Sequence, residues 1–447
     1  MNFSELNDWL KANSITEIEC LVPDLAGVAR GKIMPASKYA RDESIRLPEG
    51  IFAQTVTGSW PEDEGELINP AEIDMVVAPD PKTVRFVPWA HEPTAQIIHD
   101  CYYQDDTPVP LAPRNLLKHV LELYRAEGWQ PVIAPEVEFF ITQVNKDPDY
   151  PLQPPVGRSG RPETARKSYG VDAVNEFDPM FEEMYDFCEA QRLWIETLIH
   201  EEGAAQMEIN FQHGDALELA DQVFLFKRTM REVAIRHDGY ATFMAKPMAN
   251  EPGSAMHVHQ SINDIAGSRN IFTLGDGGES PLFRHFIGGQ QRYMIAAMPF
   301  FAPNVNSYRR LIRGYSAPIN SHWGYDNRTV GLRVPMSPPE ARRVEHRMCG
   351  ADVNPYIAIA VMLACGYLGI KQQLEPREPV SGSAHVLRHE LPKTIEEGLR
   401  YLNECSELSA LLGSRFVATY SAVKTAEAEE FQHVISSWER EYLLLNV

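Results

Sequence analysis

The stretch Val132-Ile-Ala-Pro-Glu136-Val-Glu138-Phe-Phe-Ile141 decides how the rest of the chain is read. Its β-branched and aromatic content predicts a strand. Side chains on a strand alternate between faces, so Glu136 and Glu138 share one face while Val137 and Phe139 take the other. Three further segments repeat this pattern of chemically competent residues two apart in strand-like surroundings. They are Gln206, Glu208 and Asn210; His257 and His259 in Ser254-Ala-Met-His-Val-His-Gln-Ser261; and Arg343, Glu345 and Arg347 in Arg342-Arg-Val-Glu-His-Arg347, preceded by Asn327, Arg328 and Arg333. One such pair fits the solvated face of an antiparallel sheet. Four fit it poorly, because a solvated face mixes in lysine, serine and threonine, whereas these hold glutamate, histidine and arginine with only Gln206 and Asn210 besides. A shared inward-facing site is the better reading.

The residue types narrow the chemistry. Glutamates with one or two histidines and no cysteine suit hard divalent cations, Mg2+ or Mn2+, rather than zinc or copper. Clustered carboxylates repel one another unless a cation neutralises them. Arginines on neighbouring strands suit anionic substrates, since the planar guanidinium matches carboxylate and phosphate oxygens in pairs. Metal and arginine together point to phosphoryl transfer. With no GxxxxGK[ST] loop and no protein-kinase motif set, a nucleotide would have to be held by metals on a sheet. A metal-dependent amidohydrolase would account for the glutamates and histidines but leaves the arginines without a task.

Working outward, 447 residues give a soft prior of two or three domains and ample chain for a buried core. Hydrophobic residues make up 44% and charged residues 23%, which excludes long disordered, collagen-like or coiled-coil readings. With 62 acidic residues against 41 basic, a net charge of −21, attraction to nucleic acid or anionic lipid is disfavoured, and the expected partners are small molecules, cations or other proteins. The six cysteines form no CxxC pair, so neither a disulfide framework nor a thiolate zinc site is indicated. That usage, and an N-terminus without the basic start and apolar run of an export signal, predict a cytoplasmic protein. The apolar run Tyr356–Ile370 is shorter than the roughly 20 residues that span a bilayer and is read as a buried helix.

A helix over residues 3–12, then short strands and turns to about residue 107, predict a small α+β unit. Pro108, Pro110 and Pro113 then precede a helix over Arg114–Glu127, where Leu116, Leu117, Val120, Leu121 and Tyr124 recur at helical spacing. The domain boundary is placed there. Residues 145–172, rich in proline, glycine and charge, read as a surface loop over the site or as a plain insertion.

The string Asn306-Ser-Tyr-Arg-Arg-Leu-Ile-Arg-Gly-Tyr-Ser-Ala-Pro318, followed by Trp323, Asn327-Arg328, Arg333-Val-Pro335, Arg342-Arg-Val-Glu-His-Arg347 and Asn354-Pro-Tyr356, resembles the type I glutamine synthetase family in order and spacing. Asp24–Lys32, Asp74–Asp80, Pro135–Phe139, His200-Glu201, Gln206–Glu208, Lys246-Pro247 and Gly253–Ser261 extend the resemblance over the whole chain. It implies an α+β fold, with an N-terminal β-grasp domain over residues 1–107 and a catalytic (guanido kinase-like/glutamine synthetase) domain over 108–447. The antiparallel strands of the second would form half of a barrel shared between neighbouring subunits. It also implies a homo-oligomer of closed hexameric rings, hexamer or dodecamer, in which the small domain of one subunit completes the site of the next.

Taken residue by residue, the resemblance implies one metal on Glu138, Glu201 and Glu208 and another on Glu136, His257 and Glu345, with two or three Mg2+ or Mn2+ ions per site. ATP would lie against His259 and Ser261 with Glu196 near its ribose. The carboxylates of L-glutamate would be bound by Arg310 and Arg347 with the backbone at Gly253, and Arg328, Arg333 and Arg343 would neutralise the transferring phosphoryl group. The implied reaction phosphorylates the γ-carboxylate, a poor electrophile, so that an amine can displace phosphate and form the amide. Outside the matched pattern, Arg343 or Arg347 beside Glu345 would equally fit a sheet-face ion pair. His213, His237, His285 and His322 are expected to be surface or packing residues.

Two positions depart from ammonia-using members, which the resemblance implies carry a glutamate in a Gly-Tyr-Glu-Ala-Pro loop and an aspartate in an Asp-Gly-Ser motif. Here the segments read Gly314-Tyr315-Ser316-Ala317-Pro318 and Thr57-Gly58-Ser59. Losing two carboxylates removes the charge that would concentrate ammonium and the base nearest to it. Thr57 and Ser316 are therefore expected to set amine specificity, in the manner of glutamate–amine ligases such as γ-glutamylpolyamine synthetases. A polyamine would need carboxylates elsewhere; Glu62, Asp63, Glu64 and Glu66 are candidates, against a merely solvated acidic loop. Two rival readings are neutral replacement with ammonia still used, and an inactive ring serving as scaffold, which the intact metal and arginine positions oppose. His389, before Glu390-Leu391-Pro392, occupies the place of the family's regulatory tyrosine, so adenylylation there is not expected.

Overall fold

Asp24 and Gly27 make the first turn. Asp24 Oδ1 accepts from the backbone N–H of Ala26 at 2.9 Å and of Val28 at 2.8 Å, and Gly27 takes φ +76°, the local bonding and left-handed geometry those residue types favour. The turn joins β1 (Glu17–Pro23) to its antiparallel partner β2 (Ala29–Pro35). The computed structural model describes residues 2–41, 45–62, 67–68, 71–164, 166–266, 269–314 and 316–447. With β3 (Ile45–Pro48), β4 (Asp74–Pro79), β5 (Arg85–Phe86) and β6 (Thr94–Tyr102), these strands form a first sheet of order β2-β1-β6-β4-β3, with β5 on β6. The helix Phe3–Ala12, closed by an Asn2/Glu5 capping box, sends Leu6 and Leu10 into the core.

A helix over Pro113–Ala126 follows, and then the second sheet. Its order is β13-β14-β15-β12-β7-β9-β8, from β7 (Trp129–Gln143), β8 (Ile195–His200), β9 (Gln206–Phe211), β12 (Met256–Asp264), β13 (Trp323–Tyr325), β14 (Leu332–Val334) and β15 (Val344–His346). The short β10 (Gly214–Asp215) and β11 (Gly239–Thr242) add to β7. Helices Ala216–Arg236, Pro281–Phe301 and Pro355–Gln372 build the core beside this sheet. The last is long and apolar enough to cross a membrane, but 78% of it is buried inside the protein, as expected for the Tyr356–Ile370 run. It approaches Pro281–Phe301 so closely that a Cβ added at Gly289 would fall 2.5 Å from Gly369 Cα, and one at Gly366 would fall 2.1 Å from the Phe286 ring. Residues 145–164 and 166–170 form an exposed loop with a few buried exceptions, among them Glu163.

One guanidinium ties the two sheets together. Arg114, 2% exposed, donates to Asp80 Oδ2 at 2.8 Å and Asp100 Oδ1 at 2.6 Å on the side of the first sheet, and to both oxygens of Asp221 at 2.9 and 2.8 Å on the helix Ala216–Arg236. The Tyr356 hydroxyl donates to the same Asp221 at 2.7 Å. Removing one partner of such a cluster leaves buried charge uncompensated. Arg114→Ala is expected to lower stability by about 3–5 kcal/mol, measured by chemical denaturation; an unchanged unfolding midpoint would show that this cluster does not hold the sheets together.

Candidate active site

The site is a consequence of strand register. Across β7 and β9, Glu138 stands opposite Glu208 and Glu136 opposite Asn210. Across β7 and β12, Glu136 stands opposite His257; across β12 and β15, His259 stands opposite Glu345, which in turn faces Arg333 on β14. Directly paired residues share a face, so Glu136, Glu138, Glu208, His257, His259, Arg333 and Glu345 project together. The other face carries Val137, Phe139, Met207, Ile209, Met256 and Val258, all fully buried.

Two groups of ligand atoms converge. Those of Glu136, His257 and Glu345 lie within 4.8 Å of one another, and so do those of Glu138, Glu208 and His257. The first is the trio expected from the sequence. The second differs from the expected Glu138, Glu201 and Glu208 in having His257 where Glu201 was expected. The reason is local: β8 ends at His200, so Glu201 lies in the turn to β9 and reaches the same cavity as Glu138 from the strand end rather than from the sheet face.

Cavities lie on both sides of these groups. One, of about 370 Å³, is lined by the three expected nucleotide residues Glu196, His259 and Ser261 together with Glu136, Asn210, His213 and Arg343. The other, of about 50 Å³, is lined by Glu138, Glu201, Gln206, Gly253, His257, Arg310, Ser316 and Arg347. The expected substrate residues and one of the two specificity positions thus share the second. Gly253 is required by close approach, since a Cβ there would fall 2.6 Å from Arg310 Cγ.

Several residues differ from what sequence reasoning gave. His213 is exposed, as expected, but also lines the larger cavity; His237, His285 and His322 are packing residues as expected, with His237 at 3.0 Å from Glu183, His285 at 3.4 Å from the Leu374 carbonyl and His322 at 4.0 Å from Glu390, outside both cavities. The sheet-face ion pair forms at Arg333, which donates to Glu345 Oε2 at 2.7 Å, and at Arg347, which pairs with Glu345 Oε1. Arg343 instead donates to His259 Nδ1 at 3.2 Å. Arg310 is buried with donors on the Met348 and Arg347 carbonyls at 2.9 and 3.0 Å, and Arg328 is exposed on the loop between β13 and β14. Thr57 lines neither cavity; its hydroxyl donates to Glu430 Oε2 at 2.7 Å. Glu62 is exposed, and Asp63, Glu64, Glu66 and Tyr315 lie outside the described residues. Gln206, given no role from the sequence, donates to Glu138 Oε2 at 3.2 Å and to the Gly253 carbonyl at 3.1 Å; its place two residues before Glu208 was the available signal.

The electrostatics divide the face in two. Burial opposes ionisation of Glu345, but Arg347, His257 and His259 hold it down to about 2. Glu136 is likewise held well below the ordinary range, against burial, by hydrogen bonds from His257 and from His259, the latter at 3.0 Å. On the other half the balance reverses. Burial and then the Glu201 charge push Glu138 up to about 8; burial raises Glu201; burial and the surrounding glutamates raise Glu208 well above its usual value. The protein therefore supplies too little positive charge around Glu138, Glu201 and Glu208. Oxygen donors with one imidazole and no thiol fit a hard divalent cation there.

Comparison with known proteins agrees with this geometry. Residues 110–443 match the family described as glutamine synthetase, catalytic domain. The gamma-glutamylputrescine synthetase PuuA of Escherichia coli (strain K12) is 33% identical over 96% of this chain and 92% of its own. The glutamate–isopropylamine ligase of a Pseudomonas species is 30% identical over 97% and 96%, and a glutamine synthetase of Pyrococcus woesei 30% over 90% and 88%. The solved structure of GmaS without ligand superposes with a TM-score of 0.83 at 28% identity, covering 98% of this chain and 99% of that one. The chain belongs to the glutamine synthetase family. It is an enzyme, a carbon–nitrogen ligase of the glutamate–amine ligase kind, in a family that uses ATP and divalent metal ions.

The unsatisfied half of the site has a measurable consequence. Because folding raises the Glu138 pKa, the folded chain binds that proton more tightly than the unfolded chain, and without a cation its contribution to stability falls as pH rises from the usual carboxylate range through about 8. Glu136 and Glu345, depressed instead, contribute a constant amount above their ordinary range. The rise in thermal midpoint on replacing EDTA with Mg2+, at fixed protein concentration, is expected to be larger at pH 8 than at pH 6. An equal rise at both would show that Glu138 is not relieved by the cation.

Proposed function

We propose that this enzyme joins the γ-carboxylate of L-glutamate to an organic primary amine, at the expense of ATP and through γ-glutamyl phosphate. The observation that carries this reading is Ser316, which lines the small cavity beside Glu138, Arg310 and Arg347 where ammonia-using relatives would carry a carboxylate. A hydroxyl there neither attracts ammonium nor takes its proton. Relatives named for putrescine and isopropylamine support the same substrate class.

In this reading Arg310, Arg347 and the backbone at Gly253 orient glutamate, and Arg328, Arg333 and Arg343 offset the charge of the phosphoryl group during transfer. Glu196, His259 and Ser261 hold the nucleotide. Glu136, Glu138, Glu201, Glu208, His257 and Glu345 would hold Mg2+ or Mn2+, which supplies charge neutralisation to the phosphates when bound. The ammonium form first gives up one proton to solvent; attack by the free amine on the acyl phosphate then forms the C–N bond and breaks the C–O bond to phosphate, and the nitrogen's second proton leaves with the phosphate as hydrogen phosphate. The division near residue 107, closed hexameric rings in which Thr57 of one subunit reaches the next site, and a cytoplasmic location belong to the same reading.

The test is phosphate release by the purified protein with ATP, Mg2+ and glutamate against ammonia, putrescine, spermidine, ethanolamine and aromatic amines. An organic amine is expected to exceed ammonia in kcat/KM by about 10²-fold, within the range over which burial of a methylene discriminates substrates. Ammonia matching the best organic amine would replace this reading with glutamine synthesis, and no release with any amine would favour a scaffold. Ser316→Glu is expected to raise ammonia use, and no gain would mean position 316 does not discriminate. Glu138→Ala is expected to bring turnover to background; retained turnover would remove the metal assignment.

A further inference from the structure

Glu163 is a buried carboxylate, 9% exposed, in a loop whose other residues are mostly in solvent. Such a group costs stability unless its oxygens find partners. Its Oε2 accepts from the backbone N–H of Ala205 at 2.7 Å and lies 3.0 Å from His200 Nε2; its Oε1 is 3.5 Å from Lys167 Nζ. His200 is itself buried, and its other ring nitrogen, Nδ1, lies 2.7 Å from the carbonyl oxygen of Glu201. One carboxylate oxygen thus grips both ends of the turn Glu201–Ala205 that joins β8 to β9.

That turn needs holding. Ala205 sits at φ +55°, a left-handed conformation unfavourable for a residue with a Cβ. The turn delivers Glu201 at one end and Gln206, the partner of Glu138, at the other. Neighbouring contacts tie the same loop to the same turn: the Tyr169 N–H donates to the His200 carbonyl at 2.8 Å, and Arg166 pairs with Glu202 at 2.7 Å.

We propose that Glu163 is a positioning residue of the divalent-cation site, acting through His200 and the Ala205 amide to aim Glu201 at Glu138. This rests on the reading of Glu201 as a metal ligand. The loop thereby becomes part of the site's support instead of an insertion beside it.

Mn2+ binding to the intact oligomer without substrates, followed by electron paramagnetic resonance, tests the proposal. Glu163→Ala is expected to weaken Mn2+ binding about 10- to 100-fold, the scale for residues that orient metal ligands, with the amine KM unchanged. Glu163→Gln is expected to stay near wild type, because one amide oxygen can replace the single oxygen that makes both contacts. The double variant Glu163→Ala/Glu201→Gln should bind no more weakly than Glu201→Gln alone, since both changes remove one ligand. Should Glu163→Ala not assemble, Glu163→Asp, whose carboxylate is withdrawn by one methylene, carries the test. Wild-type affinity in the folded Ala or Asp variant, or fully additive losses in the double variant, would overturn the role of Glu163. Failure of the wild-type protein to bind Mn2+ at all would instead remove the metal reading.

Discussion

Glu138 and Glu208 face each other directly across two strands, inside the protein, and the rest of the site follows from that opposition. Like charges on opposed positions destabilise a sheet, and no small adjustment separates them. A one-residue slip would turn Val137, Ile209 and their neighbours toward the polar cavity and the glutamates into the core. Each such apolar side chain is stabilised by about 1.5–3 kcal/mol on burial, and several on β7, β9 and β12 act together. The apolar face thus fixes the register, and the register holds the carboxylates in contact.

Compensation for that contact is uneven. Around Glu136 and Glu345 the chain provides its own cations and donors: His257, His259, Arg333 and Arg347. Around Glu138, Glu201 and Glu208 it provides few, and the carboxyl groups there are pushed upward. The two halves consequently present different charge to a cation. Arg347 also faces two tasks, since it pairs with Glu345 and lines the cavity proposed for glutamate. Glu345 has a second guanidinium partner, Arg333 at 2.7 Å, so its charge stays paired if Arg347 turns to a substrate carboxylate.

Alternation within single strands was the legible part. It put Glu136 with Glu138 and His257 with His259 on common faces, and the apolar periodicity placed the helix Pro113–Ala126 and the buried Pro355–Gln372. Which strand lies beside which is a long-range matter that periodicity could not supply, and the family resemblance implied only antiparallel strands in half of a barrel. Glu196 shows the limit: the β8–β9 register shifts between Ile195 and Thr197, and a bulge of this kind re-aims a side chain that simple alternation would misplace. Glu201, Glu163 and His213 lie in turns and loops, where no period exists to read. The partnership of Arg333 and Arg347 with Glu345 depends on cross-strand and rotamer geometry that composition does not encode.

The cavity at Ser316 also constrains the amine. In the proposed reading glutamate occupies this cavity too, against Arg310 and Arg347, so an organic amine brings its reacting amino group there beside the γ-carboxylate. In that reading the remainder of the amine extends through the open side of the cavity, toward the face that a single chain leaves uncovered. In the ring reading, that face meets the Gln54–Ser59 turn of a neighbour. The turn has Thr57 in place of a carboxylate, yet it is bound to two: Val56 N–H donates to Glu427 at 2.8 Å and the Thr57 hydroxyl to Glu430 at 2.7 Å. Negative charge thus stands against the turn on the helix Ser414–Gln432. In the ring reading that charge favours a cationic amine near the turn, by an attraction that the high dielectric between them weakens, and the short Thr57 side chain leaves room beside it for a carbon chain.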